Sequence, residues 1–506
     1  MKKHNTFKVV LITILVFMLL TWILPAAYYS SGYVDQGRVQ MGLFDLFNYP
    51  ITAISYFGYL AIYVLVVGGL YGVLNRIPAY RIILDKLVAK MKGKEKVWLS
   101  VIMVLLAVAT SVCGLQLGLV VFFPMLISII LLMGFDKTTA ALAIVGSTMI
   151  GIAGTTFGYG NTNIIISVLS IKITSEMISK IIILVIGLAL LIFNTIYKVK
   201  IVKTTSKKET KTTKTTKTTK NSKTTKASKS SKAAAKDEEV VVVKEDKKTD
   251  IDSYIPAKVS ARVKTTTWPM ILMFALLFII LVLAFISWSG AFNNTTFENA
   301  TESVTGFELF GFTLFGKLLG TVNAFGSWTV ADMITVMFVV ILILALIYKV
   351  KFDDVIDGFV AGVKRALAPA LIVVLIYTAL VIVTYHPFQL VIYKAILGIT
   401  KGFNIITSSI VAILASLFNA DPAYAFQSVL PYLTSVVTNT ENYPLVGLLF
   451  QSIYGLTMLV APTSIILMGI LSYLEIPYSK WLKTIWKLLV EFLVVLLIIF
   501  AIIVLI

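Results

Sequence analysis

The chain has 506 residues, of which 58% are hydrophobic and 14% charged, and a formal net charge of +19. A soluble globular chain is about half apolar and about a quarter charged, so this composition excludes a disordered chain, a secreted disulfide scaffold and an ordinary soluble enzyme. What is left is an all-α polytopic membrane protein whose basic excess needs an explanation.

A helix crosses about 30 Å of hydrocarbon in roughly twenty apolar residues. By that measure the sequence predicts full spans at 8–28, 52–74, 179–199, 268–289, 330–348, 367–385 and 485–506. The first follows Lys2 and Lys3 and precedes Pro25-Ala26-Ala27, as a signal peptide would. Its long apolar run and the spans after it favour an uncleaved anchor. Lysine and arginine crowd 75–96, 349–366 and 475–487, whereas 29–50 holds only Arg38 and 290–328 only Lys317. The positive-inside rule makes the first group cytoplasmic and the second external. The amino terminus is then inside and the carboxyl terminus outside, which requires an odd number of crossings. Nine spans in the cytoplasmic membrane satisfy this.

Two stretches should not cross. Residues 97–135 have apolar arms around Thr110-Ser111-Val112-Cys113-Gly114 and both ends on the cytoplasmic side. Residues 404–436 have arms around Asn419-Ala420-Asp421-Pro422 and both ends outside. Each reads as a re-entrant hairpin, and each precedes an interrupted span. The first such span, 138–172, is broken from Gly154 to Asn163; the second, 443–472, is broken near Pro462-Thr463-Ser464. The order span, hairpin, broken span, span thus occurs twice in opposite senses, an inverted repeat of the kind many secondary carriers use. It divides the chain into 1–197, with the inward-opening hairpin, and 266–506, with the outward-opening one.

Between the halves, 198–265 carries nine lysines at intervals of three from Lys208 to Lys232, separated mostly by Thr and Ser. This composition cannot bury enough apolar surface to offset its ordering entropy, so disorder is expected. The segment holds 20 basic and 8 acidic residues, +12 of the total charge. It lacks interleaved aromatics for base stacking, so a linker or a contact with lipid headgroups is favoured over nucleic acid.

The side chains do not assemble into a catalytic or metal centre. Cys113 is the single cysteine and reads as a packed small residue, and His4 and His386 are the only histidines. No catalytic residue, metal site or cofactor is expected. Asp332 suits a helix amino terminus, and Glu491 an i, i+4 pair with Lys487. His386 reads as an interfacial residue. Asp421 stands apart, because an ionisable group at membrane depth is a functional candidate by default, although Asn-Ala-Asp-Pro is also a good turn. The run Gly154-Thr155-Thr156-Phe157-Gly158-Tyr159-Gly160-Asn161-Thr162-Asn163 can unwind and free carbonyls for a cation, with Thr and Asn as neutral ligands. A glycine-mediated helix contact is the alternative for this stretch. The candidate substrate and ion residues are Thr110, Ser111, Gln116, Thr155, Thr156, Asn161, Thr162, Asn163, Asn419, Asp421, Thr457, Thr463 and Ser464.

Several stretches resemble the C4-dicarboxylate anaerobic carrier family (YfcC- and DcuC-like) of the ion-transporter superfamily. They are Thr21-Trp22-Ile23-Leu24-Pro25-Ala26, Phe122-Phe123-Pro124 with Gly134-Phe135-Asp136, Ala461-Pro462-Thr463-Ser464 with Leu467-Met468-Gly469, and Ile476-Pro477-Tyr478-Ser479-Lys480-Trp481. The resemblance implies an elevator-type carrier with two hairpins, a mobile transport domain, a scaffold that dimerises, and organic-anion or amino-acid cargo driven by Na⁺ or H⁺ or by exchange. The chain departs from the family pattern in four places. Leu117-Gly118 replaces an acidic pair at the first tip, and Thr155-Thr156 is separated from Asn161 and Asn163 with no following proline. Met458 stands for an asparagine, and the second tip lacks a Gly/Ser run. Cargo therefore stays open between a C4-dicarboxylate and an amino acid, including arginine–ornithine exchange. A non-transporting receptor or assembly factor acting through the insert is the rival from another class.

Overall fold

The computed structural model describes residues 5–198, 251–259, 265–400 and 402–505. The disorder expected for the Lys/Thr-rich insert falls mainly on residues outside these. The first half comprises α1 (Asn5–Ile23), α2 (Asp45–Leu74), α3 (Pro78–Met91), α4 (Glu95–Cys113), α5 (Phe123–Leu132), α6 (Lys137–Ala153), α7 (Tyr159–Leu169) and α8 (Met177–Lys198). The second opens with α9 (Trp268–Phe285) and three short helices, α10 (Trp288–Phe292), α11 (Thr296–Thr305) and α12 (Leu314–Leu319). It continues with α13 (Val330–Ile347), α14 (Phe352–Tyr385), α15 (Gln389–Leu397), α16 (Ile405–Phe418), α17 (Pro422–Gln427) and α18 (Leu430–Val436). It closes with α19 (Tyr443–Met458), α20 (Ile465–Tyr473) and α21 (Tyr478–Leu505).

Among the described residues eight helices are long and apolar enough to cross a membrane: α1, α2, α4, α8, α9, α13, α14 and α21. Seven coincide with the full spans read from the sequence. The eighth, α4, was expected as one arm of a hairpin. Its 19 residues are spanning length by themselves, and Gly114 in the left-handed conformation ends it. The two interrupted spans are short helix pairs, α6 with α7 and α19 with α20. The outer helices show what the apolar composition is for. Only 22% of the apolar window is buried in α9 and in α21, which leaves their remaining faces for lipid.

Four sequence expectations need correction. The protein is not purely helical, because β1 (Ala26–Tyr29) pairs antiparallel with β2 (Tyr33–Gly37), and β3 (Glu308–Leu309) with β4 (Phe312–Thr313). Pro25 ends the first span early, at Ile23, and turns the next residues extended. The basic stretches 349–366 and 475–487 are mostly helix rather than loop. The first turn of α14 carries Asp353 and Asp354, whose charges favour the positive helix end, and the helix runs unbroken through Pro369. Finally, α7 resumes at Tyr159, so Asn161, Thr162 and Asn163 are helical and the break is confined to Gly154–Gly158.

Glycines let the two halves meet. The largest helix–helix contact joins α2 and α14. A Cβ on Gly72 would lie 2.0 Å from the Gly358 carbonyl oxygen, and one on Gly362 would lie 2.0 Å from that of Gly68. Both helices thus present small residues four apart, the spacing that brings backbones together in a membrane. Around this pair one packing order occurs twice: α6 lies against α4 and α8, and α19 against α16 and α21. Contact between α6 and α19 joins the two sets.

The bland readings of two charged residues hold. Asp332 and Thr329 form a capping box at the start of α13. Lys487 and Glu491 pair at 3.4 Å, and Asn194 Nδ2 donates to Glu491 at 2.6 Å. His386 Nδ1 faces the Val39 carbonyl at 2.8 Å, which requires Nδ1–H there. Nε2 then accepts from the Tyr49 hydroxyl at 2.7 Å.

Candidate functional site

The end of α4 meets the break between α6 and α7. Ser111 Oγ donates to the Gly154 carbonyl at 2.7 Å, and the Ser111 carbonyl accepts from the amides of Thr156 at 3.0 Å and Gly158 at 3.1 Å. Backbones touch here: Gly114 holds φ +71°, and a Cβ on Gly158 would come within 2.9 Å of the Gly114 Cα. Beyond the turn, Gln116 donates its amide to Asn161 Oδ1.

The corresponding contact in the second half joins the end of α16 to the break between α19 and α20. Thr463 Oγ1 donates to the Leu417 carbonyl at 3.0 Å. Asn419 donates to Gln389 Oε1 at 3.2 Å and to the Ala415 carbonyl at 2.9 Å. Asp421 caps α17 by accepting from the Ala423 amide at 2.8 Å, and Ser464 caps α20.

The breaks are satisfied by the protein itself, because an unpaired buried carbonyl is costly. Gln451 Nε2 donates to the Thr155 carbonyl at 2.9 Å, and Ser452 Oγ to the Ala153 carbonyl at 3.0 Å. With Ser111 on Gly154, the carbonyls of Ala153, Gly154 and Thr155 already carry donors. At the outer break Trp481 Nε1 donates to the Leu459 carbonyl at 2.8 Å, and the Tyr478 hydroxyl donates to that of Val460. The Tyr478-to-Trp481 stretch singled out in the sequence thus supports this break.

Between the two tips, α6 and the outer break lies a chamber of about 30 Å³. Gln116 and Leu117 line it from the first tip, Ala420 and Asp421 from the second, and Ser464 and Ile465 from the outer break. Asp421 is the one charged side chain among the described residues lining it. Its carboxylate lies within electrostatic reach of Tyr59, Tyr377, Tyr424 and Tyr454. Phe57 stacks on Tyr377 at 4.2 Å, so this aromatic wall belongs partly to α2 and α14.

The sequence candidates divide by where their polar atoms go. Gln116, Asp421 and Ser464 line the chamber, and Asn161 holds Gln116 while its own Nδ2 is buried with no partner among the described residues. Ser111, Thr156, Asn419 and Thr463 tie tips to breaks or neighbouring helices. Thr110, Thr155, Thr162 and Thr457 donate to carbonyls three to five residues away along the chain, and Asn163 accepts from the Ile164 amide. Sequence reasoning missed Gln389, Gln451, Ser452 and the tyrosines around Asp421. The adjacent Gln451 and Ser452 inside an otherwise apolar run, just before the outer break, were a usable signal.

A family model described as the C4-dicarboxylate anaerobic carrier (DcuC) matches residues 51–506. An uncharacterized protein of Haemophilus influenzae is 32% identical over 95 residues, and the chain thus matches 19% of that relative's length, as of its own. The Alcanivorax borkumensis YdaH transporter, whose crystal structure is described as revealing an unusual topology, superposes with a TM-score of 0.37 at 12% identity over 98% of each chain. A TM-score of that size does not establish a shared fold.

Proposed function

Since the chain belongs to the C4-dicarboxylate anaerobic carrier family and is a multi-pass membrane transporter, we propose that it is a secondary carrier of a small amino acid, binding the solute between the two tips and the two breaks. One observation carries this reading: Asp421 is the charged group of a chamber whose other polar lining is neutral. A carboxylate in a low-dielectric chamber attracts an ammonium group and repels an unaccompanied dianion. Gln116 and Ser464 supply neutral hydrogen-bonding groups for the rest of the solute. Family membership favours a second reading, a C4-dicarboxylate that enters with Na⁺ or H⁺ neutralising Asp421.

In this proposal α2 and α14 form the scaffold and the α4–α8 and α16–α21 sets form the moving body, as in an elevator. An apolar pocket lies on the seam between them, lined by Leu60, Val64 and Val373 on one side and by Val120, Ile127 and Ile470 on the other. Such a surface has few hydrogen bonds to break when it slides. The tips would then be re-entrant and the halves opposed, with the basic segments cytoplasmic, the amino terminus inside and the carboxyl terminus outside the cytoplasmic membrane. Dimerisation through the scaffold completes the proposal.

Counterflow in proteoliposomes tests it with cationic amino acids, neutral amino acids and C4-dicarboxylates, each with and without a Na⁺ or proton gradient. Exchange of an amino acid without a gradient supports the first reading. Dicarboxylate uptake only with a cation gradient supports the second. No exchange by folded protein would return the insert-centred receptor to first place.

A further inference from the structure

On the side that carries Arg76, the segment Ile251–Lys258 of the insert lies against α3, α5, α6, α14 and α20. Ser128 Oγ donates to the Tyr254 carbonyl at 2.8 Å, Arg81 Nη1 donates to the Pro256 carbonyl, and Lys137 Nζ lies 4.5 Å from the centre of the Tyr254 ring. Beneath this strap is a cavity of about 390 Å³. Arg76, Asn75 and Arg365 line it, Pro256 and Tyr473 close it, and no carboxylate is present among its described lining residues.

Arg365 is held in an unusual way. Its guanidinium stands 4.4 Å from the Tyr254 ring centre and 5.3 Å from that of Tyr473, so its orientation is fixed by aromatic rings. Ring stacking engages the flat face of a guanidinium and leaves its edge N–H groups unused. Nη2 is buried and has no hydrogen-bond partner among the described residues. An unpaired charged donor in a buried position is costly, and a pre-oriented guanidinium edge matches the two oxygens of a carboxylate or phosphate. The cavity also adjoins the transport route. It shares Gly68, Pro124 and Tyr473 with the apolar seam, which in turn shares Leu117, Ile465 and Ile466 with the central chamber.

We propose that Arg365, assisted by Arg76, forms a second binding site at this mouth, which takes a small oxyanion, carboxylate or phosphate, under the Ile255–Pro256 strap. Its use as a waiting position for the solute's carboxylate rests on the carrier reading above, whereas oxyanion binding does not.

The full-length protein in detergent is titrated calorimetrically with sodium succinate and with sodium phosphate, against sodium chloride at matched ionic strength. The wild type is expected to bind an oxyanion in preference to chloride, and Arg365→Lys, which keeps the charge and loses the planar fork, to weaken that binding at least tenfold. Succinate as the preferred ligand marks a carboxylate site, and phosphate as the preferred ligand a phosphate site. Arg76→Gln, on the exposed side of the mouth, should weaken binding severalfold and serves if the Arg365 variant does not fold. Equal oxyanion affinity in wild type and both variants overturns the proposal, as does no oxyanion binding by folded wild type. Loss of binding in Asp421→Asn instead would move the oxyanion into the central chamber and also overturn it. If counterflow fails for every solute while Arg365-dependent binding persists, the carrier reading falls and the site stands.

Discussion

Gln451 Nε2 donates to the Thr155 carbonyl at 2.9 Å, so a helix of the second half satisfies the backbone break of the first. Ser452 beside it reaches the Ala153 carbonyl, and α6 and α19 pack together along the same line. The two halves therefore share one polar junction next to the chamber rather than merely lying side by side. Removing it would leave buried carbonyls unpaired, with a cost of about 1–3 kcal/mol each.

Gln451→Leu keeps the apolar volume and removes the donor. We expect a lower thermal unfolding midpoint and a reduction in initial counterflow rate of about tenfold, corresponding to ~1.4 kcal/mol. Gln451→Glu should not rescue either property, because a carboxylate cannot donate when ionised. Wild-type stability and rate in Gln451→Leu would show that the junction is dispensable.

Asp421→Asn separates the two roles of this residue. Asparagine caps a helix about as well as aspartate, so α17 should remain capped and stability change by less than about 1 kcal/mol. The chamber loses its charge, and counterflow of a cationic or zwitterionic solute should fall at least tenfold. Kinetics equal to wild type would reduce Asp421 to a capping residue.

Gly362→Ala tests the α2–α14 contact. The new Cβ would sit 2.0 Å from the Gly68 carbonyl oxygen, so the helices must separate, at a cost of about 1–3 kcal/mol. Gly469 in α20 has nothing within 4 Å of an added Cβ, and Gly469→Ala should be neutral or stabilising by up to about 1 kcal/mol. Thermal unfolding of the two variants in one detergent gives the comparison, and equal midpoints would remove the close-packing argument.

Orientation is tested with single cysteines in a Cys113→Ser background. Phe310 is 91% exposed at the β3–β4 turn, and Lys94 is exposed between α3 and α4. Phe310→Cys should react with an impermeant thiol reagent in sealed cells, and Lys94→Cys only after the membrane is opened. The reverse pattern would invert the proposed topology.

Trp481→Phe probes the outer break. The indole donor to the Leu459 carbonyl is lost while the ring volume is largely kept. We expect transport to fall severalfold and stability by about 1–3 kcal/mol. An unchanged protein would show that Tyr478 alone holds this break.

Much of the fold was legible because membrane crossing imposes a strong local rule. Twenty apolar residues with few charges cannot be placed otherwise, so seven long helices fell near their expected positions. Breaks were legible for a related reason: Gly154 and Pro462-Thr463-Ser464 are local disruptions of apolar runs. The first strand pair was not visible, since Ala26–Tyr29 reads as the tail of an apolar span until Pro25 is given its full weight. The basic stretch 349–366 lies mostly within α14, because charge marks a membrane side and not the end of a helix.

The sequence by itself determined that the protein is a helical membrane protein, where its spans and interruptions lie, and that Asp421 is an ionisable group between two apolar arms. These follow from the cost of exposing charge or unpaired backbone to hydrocarbon, which acts residue by residue along the chain. Only the tertiary structure decided which partners satisfy the breaks. Gln451 lies 296 residues from Thr155, and Trp481 reaches back 22 residues to Leu459. It also decided that Arg365 faces rings rather than a carboxylate. Hydrogen-bond and ring partners depend on distance in space, and nothing in local composition encodes it.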